Sequence, residues 1–148
     1  PAVVTRLHAV TDSADVWRWC GPVAIAAATG VPYTVAAEMI EFASGQPFRG
    51  RTHISTLHAA LARDGRCVVF ERVPGRPTLK AYLQARTQTH RRHVEIIRVA
   101  AHFIAVHAST YVDSAWSGCA IGSTQDLIKN HPRKRVTYRI IFEESERA

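Results

Sequence analysis

At 148 residues the chain matches the commonest domain size and is long enough to bury roughly two-thirds of the surface its unfolded form exposes, so residues 1–148 are expected to form one domain. Apolar residues make up 47% and charged residues 21%; this excludes a disordered chain, and no apolar run reaches the length of about 20 residues that spans a bilayer. The formal net charge of +7 comes mainly from arginines spread between Arg6 and Arg147, a pattern that favours a solvated basic surface, or an acidic partner, over nucleic-acid binding.

In chain order, residues 1–19 show no sustained period and read as an entry segment. Cys20 to Thr29 is nearly all small and apolar, with Pro22 suited to a first turn and Gly30 just past the end, which predicts a buried helix with Cys20 at its N-terminus. A second helix is expected over residues 34–43, where Val35, Met39, Ile40 and Phe42 alternate with Glu38 and Glu41. Gly45, Pro47 and Gly50 break the chain, and a third helix fits Ile54 to Arg63.

The character changes near residue 66. Cys67 to Arg72 has the β-branched composition of a strand, Thr78 to Ala85 reads as a short helix, and strands are expected over residues 93–99, 103–107, 111–113 and 136–142. Helices first and strands afterwards predict an α+β domain whose N-terminal helical half packs on one face of an antiparallel sheet. The seam between the halves is a natural place for a cleft.

Cysteine becomes a nucleophile only as a thiolate, and an ordinary pKa of about 8.5 leaves few per cent ionised at neutral pH. A helix N-terminus supplies at most about 2 kcal/mol, roughly 1.5 pKa units, so a cationic partner must supply the rest. Cys20 has the helix terminus, and the candidate partner is His102, between strand-like Glu95-Ile96-Ile97-Arg98-Val99 and Phe103-Ile104-Ala105-Val106. Asp113, in Tyr111-Val112-Asp113-Ser114, is spaced to return against the imidazole and fix its tautomer.

These segments carry a resemblance. Trp19-Cys20-Gly21-Pro22-Val23-Ala24, Ala101-His102-Phe103-Ile104-Ala105-Val106 and Tyr111-Val112-Asp113-Ser114 resemble, in order and spacing, the nucleophile, histidine and third-member segments of papain-like cysteine peptidases, particularly the leader-cleaving peptidases of bacteriocin exporters and their stand-alone bacterial and phage relatives. The resemblance implies a papain-like fold and a Cys20, His102, Asp113 triad that hydrolyses an amide bond in a peptide or peptidoglycan substrate, with no cofactor. It departs from the family at Ala14, where many members have a glutamine as oxyanion donor; the Trp17 or Trp19 indole is the candidate replacement. The alternative is a non-catalytic papain-like binding or virion structural module that uses its basic surface.

The remaining candidates read as structural. Cys67 alternates with Val69 and is expected in the core, and Cys119 sits in the loop Trp116-Ser117-Gly118-Cys119 as an incidental thiol. Three cysteines are too few for a disulfide framework. Eight histidines form no metal-ligand spacing, so no metal is expected, and His53 and His58 read as solvent-facing or capping residues of the third helix. Trp116 is expected in the core or the cleft wall. No basic segment precedes an apolar core near the N-terminus, so the expected location is the cytoplasm of a bacterial host, or a virion.

Overall fold

The computed structural model describes residues 4–12 and 17–143. Within them the order is α1 (Cys20–Thr29), α2 (Tyr33–Ser44), α3 (Ile54–Arg63), β1 (Val68–Arg72), α4 (Leu79–Gln84), α5 (Gln88–Arg92), β2 (Glu95–Val99), β3 (His102–His107), β4 (Thr110–Val112), β5 (Gly122–Ser123), α6 (Thr124–Asn130) and β6 (Val136–Phe142). The class is α+β, with an open antiparallel sheet of six strands in the order β1-β6-β2-β3-β4-β5. Among the described residues no single helix is long and apolar enough to cross a membrane.

Because α1 is apolar all round, it is buried all round: Gly21 through Ala28 are inaccessible. Small side chains let it lie close to β3 and α2, and Gly30, in the left-handed region at φ 85°, ends it by donating its N–H to the Ala26 carbonyl. With α2 and α3 it packs on Ile96, Phe103, Ala105, Val112, Ile140 and Phe142 of the sheet.

The N-terminal helices α1, α2 and α3 thus pack on one face of the sheet, as expected, and the other face is covered as well. There α4 and α6 bring Leu79, Tyr82, Leu83 and Leu127 onto Ile97, Val99, Ile104, Val106 and Val136. Adjacent strand residues therefore serve different cores, and β3 reads as a continuous apolar run from Phe103 to Val106 because both sides are dry. Two buried ionic groups sit in this second layer. Glu95 forms an ion pair with Arg86 at 3.0 Å and accepts a hydrogen bond from the Tyr82 hydroxyl.

Cys67, expected in the core, is exposed just before β1, on the edge strand. Cys119 is the buried one: it packs in the α1 core, and its backbone links Val10, whose N–H it accepts at 2.9 Å, to Asp113, whose carbonyl accepts its own N–H at 2.7 Å.

Candidate active site

The described site forms where the N-terminus of α1 meets the start of β3. Two glycines let the turn before α3 come close to α1 beside it. A Cβ on Gly21 would stand 2.9 Å from the Thr52 hydroxyl oxygen, and Gly50, at φ 105°, has the Trp19 ring 2.7 Å from where its Cβ would be. The Trp19 N–H donates to the Tyr33 hydroxyl at 2.9 Å, and the Tyr33 N–H donates to the Asp12 carboxylate. The segment leading into Cys20 is thereby tied to the start of α2.

Cys20 is half-buried with its thiol in hydrogen-bonding contact with His102. The His102 Nε2 bonds the Asp113 carboxylate at 2.7 Å, which leaves Nδ1 as the nitrogen for the thiol. Asp113 is fully buried. Its Oδ1 accepts from the Ser117 N–H at 2.6 Å, and its own N–H donates to the Ser117 hydroxyl at 3.0 Å, so the carboxylate cannot swing away from the ring. Trp116 stands against His102 with ring centroids 5.1 Å apart and the planes tilted by 57°, and His131 stacks on Trp116 at 3.9 Å. This cover shields the histidine–aspartate bond from water, which strengthens it.

Burial pushes the Cys20 thiol up. The His102 hydrogen bond, the Phe103 backbone N–H, the His102 charge and the thiol's own backbone N–H outweigh it, and the net displacement is downward. His102 shows the mirror image: burial pulls it down, yet its bonds to Asp113 and Cys20 raise it to about 9. For Asp113 burial is again the largest single influence and acts upward, but the His102 hydrogen bond and the backbone N–H groups of Ser117 and Trp116 hold it below the usual carboxylate range. All three shifts favour thiolate, imidazolium and carboxylate together.

No family model, curated protein or solved structure matches the chain.

Cys20, His102 and Asp113, singled out in the sequence, are thus in contact, although 82 residues separate the cysteine from its base. Trp19 lines the cleft beside Cys20. Trp17 stands outside it, 76% exposed and edge-on to Trp19. Ala14, the position of the departure from the family pattern, lies outside the described residues. The cleft has a volume of about 350 Å³ and is also walled by Arg51, Thr52, His53, Arg98 and Phe103. A larger cavity of about 630 Å³ runs along the outer face of α2 by Val35, Met39, Phe42 and Pro47, and its lining carries the carboxylates Glu38 and Glu41.

Sequence reasoning missed Arg51, His53 and Arg98 as cleft residues. His53 occupies the N-cap position of α3, is exposed and makes no side-chain cap bond. The other two come from a loop and a strand 47 residues apart, and neither lies in a motif. Among the described residues no group of three or more metal-ligating side chains converges.

Proposed function

We propose that this α+β domain is papain-like and hydrolyses an amide bond through Cys20, His102 and Asp113. The observation that carries the reading is the single chain of contacts from a helix-terminal thiol, through one imidazole nitrogen, to a buried carboxylate on the other. The thiolate attacks the substrate carbonyl carbon, and the resulting oxyanion meets the N-terminus of α1, which has no side-chain cap to compete for its free N–H groups. As the C–N bond breaks, the His102 imidazolium passes its proton to the leaving amine. His102 then takes a proton from water, which attacks the thioester and releases the acid, restoring the thiol pair. Asp113 holds the ring and its charge throughout.

The proposed substrate is a peptide or a peptidoglycan crosslink. Incubating the protein with an electrophilic peptide probe and with peptide and peptidoglycan libraries tests this directly. A Cys20 adduct and products that vanish in Cys20→Ala are expected, with His102→Ala losing about 10²–10⁴ in rate. Absence of both adduct and products would defeat the enzyme reading. A failed probe combined with polyanion binding of steep salt dependence would instead favour a binding module using the exposed basic segments at Arg91-Arg92 and Arg133-Lys134-Arg135.

A further inference from the structure

Among the described residues, the walls of the Cys20 cleft carry three basic side chains and no acidic one. Arg51 and His53 approach from the turn before α3, and Arg98 from β2. Among the described residues neither guanidinium is paired with a carboxylate, whereas Arg66, Arg86 and Arg139 each are. Arg98 is half-buried and anchored by one bond, from Nη1 to the Thr137 hydroxyl at 3.2 Å. Its remaining donors are left for another acceptor. Two cations held at one small opening repel each other, and no carboxylate of the described protein offsets this.

We infer that the cleft takes a substrate carrying a carboxylate beside the amide to be cleaved, recognised by Arg51 and Arg98 with His53 at the rim. The inference rests on the reading of Cys20 as the nucleophile and adds the substrate's charge to it. A guanidinium is the side chain suited to this task, because its fork matches both carboxylate oxygens and it stays charged at every working pH. The carboxylate belongs either to an Asp or Glu side chain or to a chain end, as in peptidoglycan stems.

Two measurements test it. In the first, the alkylation rate of Cys20 by iodoacetate is divided by that of iodoacetamide, so that thiol activation cancels. The ratio is expected to exceed that of Cys67 in the same protein, and to fall about 10- to 100-fold in the Arg51→Gln, Arg98→Gln double variant. Arg92→Gln, an equal type of charge change at the end of α5, should leave the ratio unaltered. A ratio insensitive to the double variant overturns the proposal.

In the second, fluorescent peptides differing only as Glu against Gln, or as a free carboxylate against a terminal amide, are bound to Cys20→Ala protein and followed by anisotropy. At least tenfold tighter binding of one acidic form, lost in the double variant, is expected and identifies which carboxylate is read. Equal binding of acid and amide forms overturns the proposal. An inert Cys20 combined with an intact acid preference would sink the enzyme reading alone, since this second measurement does not use the thiol.

Discussion

His102 holds its proton against burial because Asp113 and Cys20 both favour the charged ring, and its pKa of about 9 belongs to that pair of contacts. A histidine with a raised pKa is charged below it and loses its proton as pH rises through it. If the proposed hydrolysis occurs, its rate is therefore expected to follow a bell. It climbs through the lowered Cys20 pKa as the thiolate forms, and declines near pH 9 as His102 loses the proton the leaving amine needs; the two limbs report the coupled pair. Asp113→Asn removes the foremost of the raising influences, so the alkaline limb and the ring titration followed by NMR should both move down from about 9 toward the ordinary 6.5. An unmoved His102 titration in Asp113→Asn would contradict this account.

At the scale of elements, the site depends on how closely the turn before α3 can approach α1. Gly50 combines φ of 105° with a Trp19 ring where a side chain would begin. Gly50→Ala is accordingly expected to cost about 1–3 kcal/mol in urea unfolding, and to slow Cys20 alkylation by displacing Trp19 from the cleft wall. Wild-type stability and reactivity in that variant would show that the turn yields without consequence. The helix ends give a milder test. Thr78 caps α4 by accepting the Ala81 N–H at 3.1 Å, so Thr78→Ala should lower stability by about 1 kcal/mol without touching alkylation.

Across the whole molecule, the C-terminal strand β6 lies between β1 and β2, joining the earliest strand to the later ones. It contributes Ile140 and Phe142 to the α1 core and Val136 to the opposite one. The helical half is therefore not an independent unit. A fragment of residues 1–66 is expected to show no cooperative thermal unfolding by circular dichroism, because its apolar faces find no sheet; a cooperative transition would refute that. Behind the sheet, the Arg86–Glu95 pair is 3% and 2% exposed at its side chains. Glu95→Gln strands the Arg86 charge and should destabilise the protein by about 3–5 kcal/mol, whereas replacing both partners by apolar residues should recover much of the loss.

Local chemistry along the chain was enough to specify α1, α2 and α3 to within a residue or two and most of the strands, because those signals are short-range: apolar runs, helix punctuation and β-branched stretches; Cys20, His102 and Asp113 were singled out as a set by the resemblance of their segments to a known family. The α6 helix was equally legible and went unread. Ser123-Thr124-Gln125-Asp126 has the spacing of a helix-start motif, and Ser123 does cap by accepting the Gln125 N–H. Burial was less legible: Cys67 alternates like a core residue yet opens an edge strand, while Cys119 in a loop is enclosed. Only the tertiary structure decided that helices cover both faces of the sheet, that Nε2 of His102 faces Asp113, and that Arg51 and Arg98 share the walls of one cleft. The physical reason is that each depends on which neighbour a residue meets once the chain has folded, and periodicity along a chain carries no information about which segment will supply that neighbour.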